Sequence, residues 1–139
     1  MAGVARVQAI RGATTAADNT AEAIREAVAE LLDDLERRNP LIPDETISAV
    51  FTVTSDLDAV FPAAIARQRH HWESVALLDV QQMRVEGSLA RCIRVLIHVN
   101  APSPHCGIAH SYLRQAQHLR PDRSLSPPPG TAAAPPDPS

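Results

Sequence analysis

The stretch that most constrains the fold is the apolar run over residues 91–99, Arg-Cys-Ile-Arg-Val-Leu-Ile-His-Val. Alternate residues of a β-strand point to opposite faces, and Val and Ile suit a pleated surface. So apolar a run is typical of a central strand covered on both sides, which is what we predict here. One face carries Ile93, Val95, Ile97 and Val99, and the other carries Cys92, Arg94, Leu96 and His98.

Arg94 interrupts this strand with a permanent positive charge. A guanidinium cannot lose its proton to avoid the cost of a buried charge, and an unpaired buried charge costs on the order of several kcal/mol. An anion must therefore meet Arg94. The strand alone leaves two possibilities open, an internal Asp or Glu partner or a bound anionic ligand.

Composition excludes several function classes. The chain has 139 residues, a net charge of -3 and a pI near 6.0, which argue for one domain and against nucleic acid as the main partner. All 13 basic residues are arginine, so every cation can bind a carboxylate with two parallel hydrogen bonds. We expect no signal peptide and no membrane span. Cys92 and Cys106 are interpreted as reduced thiols of a cytoplasmic protein.

The hydrophobic pattern predicts an α+β fold with a mixed β-sheet and helices on one face. Residues 1–120 form the predicted domain, whereas 121–139 carry seven of the 12 prolines and are predicted to be a disordered tail. The predicted strands cover residues 4–10, 46–54, 74–80 and 91–99, with a polar bend over 11–15. The predicted helices run from the capping residues 18–20 to about 39, over 61–69 and over 105–118.

Two groups of side chains superficially suggest metal binding, His70-His71 with Asp79, and Cys106 with His110. Neither completes a set of three or four ligands at zinc spacing, so we predict no metal. No nucleophile elbow is present, which argues against a hydrolase. Tyr112, taken alone, would be interpreted as a core residue.

Several short blocks, taken together, resemble a known family. Over about residues 5 to 125 the chain resembles the small monofunctional bacterial chorismate mutases of the AroH type. The blocks are Ile10-Arg11-Gly12-Ala13-Thr14-Thr15, Asp56-Leu57-Asp58-Ala59-Val60-Phe61-Pro62-Ala63 followed by Arg67, Cys92-Ile93-Arg94-Val95, Tyr112-Leu113 and Leu119-Arg120-Pro121-Asp122.

The resemblance implies a homotrimer whose three sheets form a pseudo-α/β barrel, with active sites at the clefts between subunits. It implies the Claisen rearrangement of chorismate to prephenate, a step towards phenylalanine and tyrosine. It implies neither a cofactor nor a metal. An alternative from another class stays open, a trimeric module that binds small carboxylates or regulates without mutase activity.

The resemblance also assigns roles to residues. Arg11 and Arg94 would grip the substrate, with Arg94 beside the ether oxygen of the breaking bond, and Tyr112 would contact a carboxylate. The expected walls are Phe61, Ala63, Val75, Ala76 and Leu119, and the expected mouth carries Arg67 and Arg120. We expect Phe61, Arg67 and the strand near Val75 to come from one chain, and Arg11, Arg94 and Tyr112 from the next.

Three positions depart from the family pattern. Ala64 stands where the family usually has a lysine, Asp79 where it has a cysteine, and Gln82 where a glutamate holds the ring hydroxyl of chorismate. The carboxylate that the family has at position 82 is thus absent there, and this chain carries one at position 79 instead. Our hypothesis is that Asp79 binds the hydroxyl and Gln82 supports it.

Overall fold

The computed structural model describes residues 6–101 and 107–119. These form a five-stranded sheet in the order β3-β2-β4-β1-β5. β4 is antiparallel to both β1 and β2, whereas β2 pairs with β3 and β1 pairs with β5 in parallel. The mixed sheet and the central position of the strand around Arg94 are confirmed. The strands are β1 Arg6–Thr15, β2 Thr46–Val53, β3 Ala76–Gln81, β4 Cys92–Ala101 and β5 Ser111–Tyr112.

The main helix, α1, covers Ala21–Arg38 and agrees with the prediction. The Thr20 side chain caps it by accepting a hydrogen bond from the Ala23 N–H at 3.0 Å. Its apolar stripe is buried against the sheet. The shorter helices are α2 Ile42–Glu45, α3 Pro62–Arg67 and a 3-10 turn at Arg114–His118.

The helices α1 and α3 cover one face of the sheet, as predicted, and the main core lies between them. On β4 this face carries the buried Ile93, Val95, Ile97 and Val99. The described residues cover the opposite face, which bears Arg94, only around Ala13 and Tyr112 and leave the rest of it uncovered, contrary to the expectation of a strand covered on both sides. Val7 and Leu78 are exposed apolar side chains on this uncovered face.

The predicted bend over 11–15 is wrong, because β1 continues without interruption to Thr15. Gly12 makes this possible by allowing the helix to approach closely. A Cβ on Gly12 would lie 2.7 Å from Leu35 Cδ1 and 3.1 Å from Val95 Cγ1. The glycine is therefore needed for packing against α1 and not for a turn.

The predicted last helix over 105–118 is also wrong in its described part. Ser111 and Tyr112 pair with Gly12 and Ala13 as a strand, and only the short 3-10 turn follows. Side chains of α1 hold this segment against the sheet edge, which competes with helix formation. Residues 1–5, 102–106 and 120–139 lie outside the described residues, and with them the start of the first predicted strand, Cys106, Arg120 and the predicted tail.

Candidate active site in two halves

One cavity, which we name the arginine cleft, lies on the uncovered face of the sheet. Its volume is about 550 Å³. Arg11 of β1, Arg94 of β4 and Tyr112 of β5 all line it. The register places Ala13 and Thr52 beside Arg94 and places Leu96 beside Arg11. The cleft lining is Arg11, Gly12, Ala13, Val50, Thr52, Arg94, Val95, Leu96, Tyr112 and Leu119.

Arg94 has no carboxylate partner among residues 6–101 and 107–119. None of the ion pairs in that part of the chain includes Arg94 or Arg11, and both residues are exposed. Burial raises the pKa of the adjacent Cys92 thiol, partly offset by a hydrogen bond and the charge of Arg94. Arg94 is therefore accessible to water in the single chain, contrary to the expected buried charge, and the described residues supply no internal carboxylate for it. An external anion can reach its guanidinium.

The backbone of Arg11 is tied to the segment that carries Tyr112. The Arg11 N–H donates to Nδ1 of His110 at 2.9 Å. Further along, the Leu113 N–H donates to the Ala13 carbonyl at 2.9 Å. Tyr112 packs in a small cluster with Ala13. The two cleft residues therefore share one local framework.

A second cavity of about 570 Å³, the loop cavity, lies beside the loop that precedes α3 and contains Phe61 and Asp79. Phe61 is 69% exposed. The carboxylate Oδ1 of Asp79 accepts a hydrogen bond from the Ala63 N–H at 2.9 Å. Burial raises the pKa of Asp79, and this rise is partly offset by the Ala63 N–H and the charge of Arg67. The rest of the lining comes from residues 53–62 and from Val80 and Gln81.

The two cavities belong to opposite faces of the sheet in one chain. Asp79 pairs with Phe51, whereas Arg94 pairs with the next residue of β2, Thr52. Consecutive residues of a strand point to opposite faces. One ligand therefore cannot contact Asp79 and Arg94 of the same chain at once.

Comparison with known proteins gives a consistent family. Residues 7–123 match the family described as chorismate mutase type I. The chain belongs to the chorismate mutase type I family. The sequence-based recognition of this family is confirmed.

Known relatives of this chorismate mutase family match most of the chain. The chain is 38% identical to chorismate mutase AroH of Bacillus subtilis over 120 residues, which cover 86% of this chain and 94% of the relative. It is 45% identical to chorismate mutase AroH of Thermus thermophilus over 117 residues, 84% and 95% of the two chains. A solved chorismate mutase from Clostridium thermocellum superimposes with a TM-score of 0.75 at 47% identity, covering 81% of this chain and 99% of that one.

Most of the other residues that the chorismate mutase resemblance singled out line neither of these two cavities. Ala63 and Ala64 are in α3, and Arg67 is its last residue. Val75 precedes β3 and packs against the main core, whereas Ala76 is the exposed first residue of that strand. Leu119 lines the arginine cleft, and Arg120 lies outside the described residues. None of Ala63, Ala64, Arg67, Val75 and Ala76 lines either cavity.

Gln82 does not line the loop cavity with Asp79. It follows the end of β3, and its N–H donates to the Val53 carbonyl at 2.8 Å. Its side chain lines a third, polar cavity of about 780 Å³ beside Asp56. Among the described residues Gln82 Oε1 is buried without a hydrogen-bond partner. The two residues of the hypothesised pair therefore face different cavities.

Sequence reasoning missed three polar residues. Thr52 lines the arginine cleft beside Arg94, and its Oγ1 is buried without a partner in the described part of the chain. Alternation over 46–54 places Thr52 and Val50 on one face, but only the pairing of Thr52 with Arg94 shows that Thr52 lines the cleft. Asp34 and Asn39 are buried at 7% and 2% exposure, although the charged side of α1 was expected to be solvated.

Two further searches concern the described residues only. No group of three or more His, Cys, Asp or Glu side chains there is arranged to hold a metal ion. No helix in that part of the chain has the length and apolar character that a membrane span requires. Cys92 is a free, buried thiol.

Proposed function

We propose that this chain is a chorismate mutase that converts chorismate to prephenate in aromatic amino-acid biosynthesis. The observation that carries the proposal is the guanidinium of Arg94, which has no carboxylate partner among the described residues and lies on the central strand in a cleft with Arg11 and Tyr112. Membership of the chorismate mutase type I family supports it. We place the protein in the cytoplasm and propose that it needs no cofactor.

We further propose a homotrimer in which each active site joins the arginine cleft of one chain to the loop cavity of its neighbour. Two observations support this. Asp79 and Arg94 face opposite sides of one sheet, so a second chain is needed to bring both to one ligand. The uncovered sheet face also exposes Val7 on β1 and the neighbouring Leu78 and Val80 on β3, apolar side chains that a subunit interface would cover.

The rearrangement is pericyclic and needs no nucleophile or general acid or base. The enolpyruvyl arm must be held over the ring, which is a matter of positioning. Arg11 and Tyr112 serve this by binding carboxylates, because an arginine fork takes a carboxylate through two hydrogen bonds. The wall residues Phe61 and Leu119 shape the space around the folded substrate.

Arg94 lowers the barrier electrostatically. The C–O bond breaks ahead of C–C formation, so negative charge develops on the ether oxygen in the transition state. A donor that is already fixed in place stabilises this charge without reorganisation. A central strand limits the movement of Arg94 better than a loop would.

We propose that Asp79 binds the ring hydroxyl of chorismate and that Gln82 supports it. The Ala63 N–H occupies only part of the accepting capacity of the Asp79 carboxylate, which has about four acceptor sites. Burial raises the pKa of Asp79, and the nearby charge of Arg67 offsets part of this rise. Ala63, Ala64, Val75 and Ala76 remain proposed wall or rim positions, with Arg67 and Arg120 near the mouth.

The second candidate is a trimeric module that binds small carboxylates without converting them. The separation of Asp79 and Gln82 into different cavities favours this alternative, since the usual hydroxyl-binding glutamate is absent. The test is to incubate purified protein with chorismate and to measure the loss of chorismate and the appearance of prephenate. Catalysed conversion supports the mutase, whereas saturable binding with no conversion supports the module.

A further inference from the structure

The strand that carries Tyr112 is held to the sheet by very little backbone pairing. β5 has two residues, Ser111 and Tyr112, which pair with Gly12 and Ala13 at the sheet edge. A two-residue ladder cannot fix the position of a side chain well, so other contacts must hold this segment. Those contacts come from the C-terminal end of α1.

Asn39, the residue directly after α1, forms two hydrogen bonds to the backbone of this segment. Its Nδ2 donates to the Ala109 carbonyl at 2.8 Å, and its Oδ1 accepts from the Ala109 N–H at 2.8 Å. Nδ2 also donates to the Leu35 carbonyl at 2.9 Å. The amide thus pairs with Ala109 as a neighbouring strand would, and at 2% exposure it does so with little competition from water.

Through its neighbours in the chain, Ala109 is connected to both proposed ligand-binding residues of the arginine cleft, Arg11 and Tyr112. The next residue, His110, accepts the N–H of Arg11 at 2.9 Å. Ser111 donates from its hydroxyl to Asp34 Oδ2 at 2.5 Å, a second connection to α1. Tyr112 follows directly. Movement of Ala109 would therefore displace Tyr112 and remove a bond from the backbone of Arg11.

We propose that Asn39 is a positioning residue for the arginine cleft, acting through Ala109 on Tyr112 and Arg11. This role differs from that of an ordinary helix-capping residue. Removing such a residue would destabilise α1 without displacing Tyr112 or Arg11 in particular. It leaves Arg94 in place, because that residue is fixed by β4 and its neighbours on the sheet. This inference rests on the proposed function, in which Tyr112 and Arg11 bind substrate carboxylates.

Asn39→Ala should therefore raise KM for chorismate by about 10-fold, the effect of losing well-placed charge-assisted hydrogen bonds, while kcat changes by less than about 3-fold. In a Tyr112→Ala background the same substitution should raise KM by only about 3-fold, because Tyr112 is already absent and only the effect on Arg11 remains. The matched control is Thr20→Ala, which removes the cap at the other end of α1 without contacting residues 109–113. It should lower thermal stability and leave KM unchanged.

A readout without substrate separates this inference from the proposed function. Asn39→Ala should speed amide exchange at Leu113, whose N–H donates to Ala13, by about 10-fold or more, and Thr20→Ala should not. Unchanged exchange at Leu113 would overturn the positioning role even if the wild-type protein is an active mutase. An unchanged KM in Asn39→Ala, or an equal rise in the Tyr112→Ala background, would overturn it as well. Absence of turnover in the wild-type protein would defeat the proposed function and leave the exchange result to decide the inference.

Discussion

The arginine cleft draws its cations from the inner strands β1 and β4, whereas the loop cavity is formed by the edge strand β3 and the loop before α3. Arg94 has paired strands on both sides, Ala13 of β1 and Thr52 of β2. Phe61 is on a loop and largely exposed. The half of the proposed site that would stabilise developing charge is thus on a strand paired on both sides, and the half that would enclose the substrate includes an exposed loop residue.

Departures from the family pattern follow the same division. By the resemblance described above, Arg11, Arg94 and Tyr112 agree with the family pattern. Ala64, Asp79 and Gln82 depart from it, and they lie in or near α3 and the end of β3. A cation on an inner strand cannot be moved without changing the sheet. A carboxylate near an edge strand can be replaced by one from a neighbouring position at lower structural cost.

The largest effect is expected from Arg94→Ala. Loss of the donor at the ether oxygen should lower kcat by about 10²- to 10³-fold or more, while the protein still folds and assembles. The measurement is steady-state conversion of chorismate together with the mass of the assembly in solution. Arg25→Ala, on the exposed side of α1, is the control and should retain full activity. An active Arg94→Ala protein contradicts the assignment.

Asp79→Ala should come second, with a fall in kcat/KM of about 10- to 100-fold from the loss of a hydrogen bond to a charged group. Gln82→Ala should reduce kcat/KM by less than about 3-fold, because the proposed role of Gln82 is only to support Asp79. In Asp79→Asn the amide oxygen can still accept the hydrogen bond from the Ala63 N–H. This variant therefore distinguishes the loss of that hydrogen bond from the loss of the negative charge. Intact kcat/KM in Asp79→Ala would reject the hypothesis that the carboxylate has changed position.

Gly12→Ala should affect stability more than chemistry. The added Cβ would lie 2.7 Å from Leu35 Cδ1, and such overpacking typically costs about 1–3 kcal/mol. Thermal unfolding measures the loss, which should appear as a lower Tm. Gly107→Ala is the matched control, since its Cβ would meet no atom within 4 Å. Equal Tm values for the two variants would show that α1 does not press on β1 at this point.

The smallest effect concerns Asp56, which joins the loop after β2 to the residue that precedes β4. Its carboxylate accepts hydrogen bonds from the Thr54 hydroxyl and from the Arg91 N–H. Burial raises the pKa of Asp56, but these bonds outweigh it and hold the pKa below the ordinary value of 3.8. A lowered folded pKa means that the stabilisation is present above pH 3.8 and is lost as the pH falls below it.

The stability difference between the wild-type protein and Asp56→Asn should therefore be largest near neutral pH and shrink as the medium becomes more acidic than about pH 4. Denaturant unfolding at a series of pH values measures it. A difference that grows on acidification would contradict this account of the Asp56 hydrogen bonds.

The sequence predicted β4 and its central place from an apolar run over 91–99, and strict alternation there assigned Arg94 to the face opposite Ile93 and Val95. It predicted α1 from a clear apolar stripe and a capping residue. It failed over 11–15, where a glycine was interpreted as a bend although it accommodates Leu35. It failed over 107–118, because the hydrogen bonds of Asn39 and Asp34 to residues distant in the chain carry no local signal.

The cleft residues were predicted through the family resemblance, and the structure places Arg11, Arg94, Tyr112 and Leu119 around one cavity. The resemblance also implied that these residues and the strand near Val75 come from different chains, but local periodicity alone does not predict their separation from Asp79. It depends on the parallel register of β2 and β3, which pairs Asp79 with Phe51, and strand pairing across such distances leaves no mark in local periodicity.

The most direct test of the two-halves account mixes two inactive proteins. Arg94→Ala removes the key cation of the arginine cleft, and Phe61→Asp places a negative charge in the loop cavity, against a dianionic substrate. If each site joins halves from neighbouring chains of a trimer, refolding the two variants together at equal amounts should restore about one quarter of wild-type activity by random assembly. No activity above that of the separate variants, in mixed assemblies verified by mass, would contradict the shared site.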